Sequence, residues 1–127
     1  MPFTYTADGR LLRFAWSGVV KRDDLQRLNE LMPELARSVA MQCGDVPQLL
    51  HDFDAVEACD FPPISAYEHS VQRKRILIPQ PIRSATIAKT SEVRAMARVV
   101  QALNRNPNLE MEIFDTEAAA LAWLAQE

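Results

Sequence analysis

The side chains best suited to chemistry gather in sixteen residues near the middle of the chain, Gln48 to Pro63. His51, Asp52, Asp54 and Asp60 offer an imidazole and three carboxylates, donors that suit Zn²⁺ or Mn²⁺. Alternation along a strand, however, sends His51 and Asp52 to opposite faces. His69 joins them only if the following helix folds back. Carboxylates at the end of a strand more commonly cap neighbouring backbone N–H groups. His51 or His69 as a general base has no nucleophile at a recognisable spacing. Cys59 lies among acids, which raises a thiol pKa rather than lowering it. The stretch has no serine or threonine and no glycine-rich cradle. The residues therefore imply no catalytic group, no metal and no cofactor. A metal-dependent enzyme at His51 and Asp52 stands as an alternative.

The elements around this stretch follow from periodicity. Phe3 to Ala7 and Arg10 to Ser17 read as a hairpin turned at Asp8-Gly9. Leu12, Phe14 and Trp16 give its second strand an apolar face, and Gly18 is expected to end it. Asp23 and Gln26 have capping-box spacing. Leu25, Leu28, Met32, Leu35 and Val39 follow as a helical stripe, which Pro33 is expected to kink or split. Leu49 to Phe53 is the next strand and runs out into an acidic loop. Ser65 and Glu68 form a second capping box. Arg83 to Lys89 alternates as a strand, with Ala85 and Ile87 on one side. Ser91 starts a helix with Val93, Met96, Ala97, Val100 and Leu103 on one face. Met111 to Phe114 is the last strand. Asp115 is expected to cap a closing helix whose inner stripe is Ala118, Leu121, Ala122 and Ala125.

This order predicts a single α/β domain over residues 1–127. Its sheet is mixed, mostly parallel and five-stranded, with an N-terminal hairpin, flanking helices and right-handed crossovers. The length of 127 residues suits one core, and 48% hydrophobic and 24% charged residues are ordinary for a globular chain. A net charge of −3 argues against nucleic acid as a partner. No run of 18 apolar residues exists and the start lacks the pattern of a signal peptide, so a cytoplasmic location is expected. Two cysteines outside any Cys-x-x-Cys pattern are expected to stay reduced. Charge is dealt in blocks: acids from Asp45 to Glu68, bases from Arg73 to Arg105, acids again from Asn106 onward. Such blocks imply either a dipolar surface or merely solvated faces.

Three segments resemble the SpoIIAA-like, or STAS-like, superfamily of small bacterial proteins. They are Trp16-Ser17-Gly18-Val19-Val20 with Arg22-Asp23-Asp24-Leu25, the strand Leu49-Leu50-His51-Asp52-Phe53, and the ending from Glu112 to Leu124. The acid-capped, alanine-rich helix ending in Ala-Trp-Leu carries most of the likeness. Anti-anti-sigma members of the group are switched by phosphorylation of a serine in an Asp-Ser-Ser-Gly-like turn. Here that place reads Asp60-Phe61-Pro62-Pro63, so the phosphoswitch does not carry over. The resemblance is closer to the branch similar to small CRAL-TRIO lipid-binding domains. That branch implies a nonpolar ligand or a membrane contact made by movement of the helices after the loop.

The residues assign the binding role to the segment from Phe61 to Ile78. Ile64, Tyr67 and Val71 form a modest apolar face. Arg73, Lys74 and Arg75 follow, then Ile76, Leu77 and Ile78. Bases beside aliphatic residues suit an anionic membrane surface or an acidic partner at about 1 kcal/mol per base. Met32, Met41, Met96 and Met111, with Phe14, Trp16 and Phe53, are candidates for lining an apolar cavity. The expected function is a non-enzymatic binding module. Its partner is a small nonpolar molecule or lipid, a peripheral membrane contact, a protein or a second copy of the chain. The alternative is a partner-switching regulator of anti-anti-sigma type without the serine, gripped at Asp54 to Ser65.

Overall fold

Leu12, Phe14 and Trp16 alternate along β2 (Leu11–Lys21) and are all but inaccessible to solvent. That face fixes the register of the sheet, because a one-residue slip would expose all three rings and chains. In the computed structural model, which describes residues 3–74, 81–104 and 106–126, β1 (Phe3–Asp8) pairs antiparallel with β2. β3 (Gln48–Asp60), β4 (Ile82–Ile87) and β5 (Leu109–Phe114) follow in parallel, giving the order β1-β2-β3-β4-β5. This is the mixed, mostly parallel five-stranded sheet expected from the sequence. Helices α1 (Arg22–Cys43), α2 (Pro63–Lys74) and α3 (Ser91–Leu103) lie side by side and enclose the larger core with Phe3, Phe14, Trp16 and Leu49. α4 (Glu117–Leu124) covers the opposite face, over Leu50, Ala85 and Ile87.

Several boundaries differ from expectation. Asp8 pairs with Leu11, so the turn residues are Gly9 and Arg10 rather than Asp8 and Gly9. Gly9 has φ +61° and no described non-glycine residue has positive φ. That is the pattern of a II′ turn, which places glycine first. Gly18 does not end β2. It sits at φ +68° where the β2–β3 register shifts, and the strand continues to Lys21. A glycine in the left-handed region is what a bulge of this kind requires.

The extension of β2 explains the largest correction. Asp54 to Asp60, expected as a loop, is strand. β4 pairs with β3 over Leu49–Asp52. Beyond that point β2 still offers a partner, from Ser17 opposite Ala55 to Lys21 opposite Asp60. Val56 is buried in this extension, and Lys21 faces Asp60 across it. The ladder thus satisfies the backbone while the acids alternate to its faces.

α1 begins earlier than Asp23. The Lys21 backbone N–H donates to the Asp24 carboxylate at 2.7 Å, and the helix starts at Arg22. Pro33 does not split it, since residues 22–43 form one helix. The proline is exposed, so only the local ladder bond is lost. Gly44, at φ +70°, ends the helix with its N–H on the Ala40 carbonyl at 2.9 Å. α3 starts at Ser91 as expected, capped by the Thr90 hydroxyl, and α4 is capped by the Thr116 hydroxyl rather than by Asp115. On α4 the buried residues are Ala120 and Leu124, with Leu121 of the expected stripe packed partly buried beside them, whereas Ala118, Ala122 and Ala125 are exposed. Apolar side chains surround that helix, so periodicity alone does not choose its inner face.

Candidate functional site

α2 is assembled the opposite way round from a surface helix. Ile64 and Tyr67 are 58% and 54% exposed, whereas Ser65 and His69, one turn apart, are 2% and 5% exposed. The buried side chains among those described on α2 are therefore polar. His69 Nδ1 lies 2.8 Å from Asn29 Nδ2 of α1. Beneath, Ser84 and Thr86 of β4 and His51 of β3 are also buried. Buried polar groups are expensive unless partnered, so this seam is the least conventional part of the core.

Beside the seam is a cleft of about 70 Å³, partly open to solvent. Its floor is sheet: Trp16 and Val20 from β2, His51, Phe53 and Cys59 from β3, Thr86 from β4 and Met111 from β5. Its walls come from α1 (Leu25, Leu28) and α3 (Val93, Met96, Ala97, Val100), with His69 of α2 and Phe61 closing it. No Asp, Glu, Lys or Arg is among the described lining residues. About 10–15 Å³ of such space houses one water, so the cleft has room for about five.

The aromatic floor is ordered by stacking. The Trp16 and Phe53 rings lie 5.2 Å apart at 13°, and His51 stacks on Phe14 at 4.8 Å and 16°. The Trp16 indole N–H donates to His51 Nδ1 at 3.1 Å. A ring nitrogen that accepts carries no proton, so the imidazole proton sits on Nε2. Cys59 has its thiol pKa pushed up from 9.0, first by burial and then by Glu92, so it stays a thiol at neutral pH.

The expected site residues divide accordingly. Phe61 and His51 line the cleft. Ile64 and Tyr67 point outward, and Val71 is half-buried without lining it. Arg73 and Lys74 are the last two residues of α2. Arg75, Ile76 and Ile78 lie outside the described residues. Asp52 accepts from the Asp54 backbone N–H at 2.9 Å, Asp54 pairs with Lys89 at 3.2 Å, and Asp60 is exposed at the end of β3. No group of three or more His, Cys, Asp or Glu side chains is placed to hold a metal among the described residues. No described helix is long and apolar enough to cross a membrane. Sequence reasoning named His69 beside His51 only on condition that the next helix folds back, and missed Asn29 and Thr86. A polar residue within an apolar helical stripe, as Asn29 is beside Leu25, Leu28 and Met32, was the available signal. Of the cavity residues expected from composition, Met96, Met111, Trp16 and Phe53 line the cleft, whereas Met41 is exposed on α1.

No protein-family model matches the chain, and no curated protein matches it significantly in sequence. Solved structures do match. One is an uncharacterised protein of the DUF3478 family with a SpoIIAA-like fold from Shewanella loihica PV-4. It is 17% identical with a TM-score of 0.57, over 97% of this chain and 92% of that one. Another is the anti-sigma factor antagonist SpoIIAA in its unphosphorylated form. It is 13% identical with a TM-score of 0.55, over 98% of this chain and 99% of that one. At such identities the likeness concerns the path of the backbone. The likeness expected from the sequence holds at that level: this chain has the SpoIIAA-like, or STAS-like, fold.

Proposed function

We propose that the protein is a non-enzymatic binding module that holds a small nonpolar ligand in the cleft between the sheet and α2. The observation that carries this is a partly open, mostly apolar cleft closed in part by His69 of α2, a helix whose buried described side chains, Ser65 and His69, are polar. A core built only for stability would place Leu or Val where Ser65 and His69 stand. Native mass spectrometry of the purified protein tests the proposal. A retained small-molecule mass that disappears in the cleft-filling variant Ala97→Phe supports it. Bare protein, together with no stabilisation by any apolar compound, removes it.

A second reading is favoured by the outward Ile64 and Tyr67. In it α2 docks on a membrane or a protein partner, helped by the bases Arg73 to Arg75. Co-sedimentation with phosphatidylserine vesicles at low salt, lost in the Ile64→Ser/Tyr67→Ser double variant, distinguishes the membrane form. A regulator of anti-anti-sigma type is a third reading, supported by the fold it shares with SpoIIAA. It would work without the phosphoserine switch, since Ser65 is 2% exposed and inaccessible to a kinase.

A further inference from the structure

We propose that β1, an edge of the sheet, pairs antiparallel with β1 of a second copy of the chain, joining two sheets about a two-fold axis through Tyr5. Three features carry this: the backbone groups that face outward, the contrast between the two sheet edges, and the flank of α1 above β1. None of them involves the cleft.

The hairpin decides which backbone groups are free for a partner. Asp8 and Leu11 flank a two-residue turn, so they form a hydrogen-bonded pair, and such pairs alternate along an antiparallel ladder. Thr6 opposite Arg13 and Thr4 opposite Ala15 are therefore bonded to β2. Phe3, Tyr5 and Ala7 turn their N–H and C=O groups the other way, toward the edge. Among the described strands only β2 pairs with β1. With Tyr5 opposite its own symmetry mate, Phe3 stands opposite Ala7 and Thr4 opposite Thr6. All the outward groups then find partners, and Asp8, the only charged residue of the strand, falls beyond the paired stretch.

Natural edge strands are guarded by charge, proline or a bulge. β1 has no Lys, no Pro and no shift of register, and Thr4, Tyr5 and Thr6 are exposed. β5, at the other edge, carries exposed Glu110 and Glu112. Self-pairing about Met111 would set these acids against each other, which is destabilising. Only the β1 edge is suited to its own copy.

The second layer agrees. Asn29 turns toward His69 of α2. At about 100° per residue, Leu31 and Leu35 lie on the opposite flank of α1. α1 packs on β2 and α2, and α2 on α3, which lies over β3 and β5. The flank away from α2 is therefore the one on the β1 side, and its Leu31 and Leu35 are half-buried. β2 and α1 meet at Lys21 and Arg22. Phe14, the partner of Tyr5, lies about 23 Å back along β2, a distance that α1 covers in about 15 residues, close to Leu35. The two-fold axis thus brings Tyr5, 43% exposed, and Leu35 of both copies together on one side of the joined strands. A strand of another protein would fill the backbone bonds, but this matching flank selects a second copy, in an isologous interface.

Sedimentation equilibrium and amide hydrogen exchange by NMR on the full chain test the proposal. A dimer, twice the 14.4 kDa chain, is expected at about 100 µM. Tyr5→Lys sets two ammonium groups across the axis and is expected to weaken the dimer about tenfold or more. Ala7→Pro removes an N–H that faces only outward and is expected to weaken it to a similar degree. Both changes leave the bonds to β2 in place, and Glu110→Gln on β5 leaves the dimer unchanged. The Tyr5 and Ala7 amides are expected to exchange slowly in the dimer and fast on dilution, whereas the Thr6 amide stays protected throughout. A monomer at up to about 1 mM overturns the proposal. A dimer that survives both Tyr5→Lys and Ala7→Pro is joined elsewhere and overturns it too, as does fast exchange at Tyr5 and Ala7 within the dimer.

Discussion

His51 shows how one side chain is turned from a reactive group into a fixed part of a wall. It is 4% exposed, stacked on Phe14 and hydrogen-bonded to the Trp16 indole. Removing that donor leaves a buried acceptor without the indole bond. Trp16→Phe is therefore expected to lower stability by about 1–3 kcal/mol, measured by urea unfolding. Cys59 makes the second residue-scale case. Its thiol pKa is raised above 9.0 in the folded chain, by burial first and Glu92 second. As pH rises past that value the unfolded chain loses its proton first. The folded state then binds more protons than the unfolded one, and stability falls as pH rises. Between pH 8 and pH 10 the native protein is expected to lose more stability than the Cys59→Ser variant. Equal losses in the two proteins would contradict the assignment. At neutral pH, alkylation by iodoacetamide is expected at the exposed Cys43 well before Cys59.

At the scale of elements, the shape of the site depends on the β2–β3 ribbon that runs past the rest of the sheet. It carries Val20 and Cys59 out to the cleft, with Phe61 following. Gly18 is the joint that allows it, at φ +68° with nothing within 4 Å of where a Cβ would stand. Space is thus not the constraint on that residue. The left-handed backbone is, at roughly 1–2 kcal/mol for an L side chain. Gly18→Ala is expected to cost about that much in thermal or urea unfolding, without altering the fold. A near-neutral result would mean that the ribbon takes up a different bulge. α2 belongs to the same scale. Among its described side chains the buried ones are Ser65 and His69 and the exposed large apolar ones Ile64 and Tyr67, and it packs against α1 and α3.

Across the whole molecule, the charge blocks of the sequence become neighbours. Arg83 pairs with Glu110, Lys89 with Asp54 and Arg94 with Asp115, so the basic stretch meets the acidic stretches on both sides of it. Most such surface pairs contribute little. Arg83 is different because it ties two layers together. Its guanidinium donates to the carbonyls of Trp123 at 2.9 Å and Gln126 at 2.6 Å, and lies 5.4 Å from the Trp123 ring centre. The last turn of α4 has no basic residue of its own. Arg83 supplies from β4 the positive charge that the C-terminal carbonyls favour. Arg83→Ala is expected to destabilise the protein by about 1–3 kcal/mol, seen as a lower urea midpoint. Arg22→Ala, which removes an exposed pair with Glu68, is expected to change it by less than about 1 kcal/mol.

Element order, the parallel sheet and its apolar face were legible in the chain itself, because Leu12, Phe14 and Trp16 or Val93, Met96, Ala97 and Val100 repeat at the period of the structure they form. Local periodicity has no term for what lies opposite. It therefore placed a loop at Asp54 to Asp60, where β2 supplies a ladder. It also chose an inner stripe for α4 of which only Leu121 packs against the core, because the apolar side chains of that helix leave the rotation open. The site is a matter of tertiary structure for the same reason. His51, His69 and Thr86 are separated by other elements, and Asn29 is distant from His69 in sequence. Only the stacking of three helices over one sheet face brings them under α2, and only that packing decides that Ile64 and Tyr67 face solvent while Ser65 and His69 face the core.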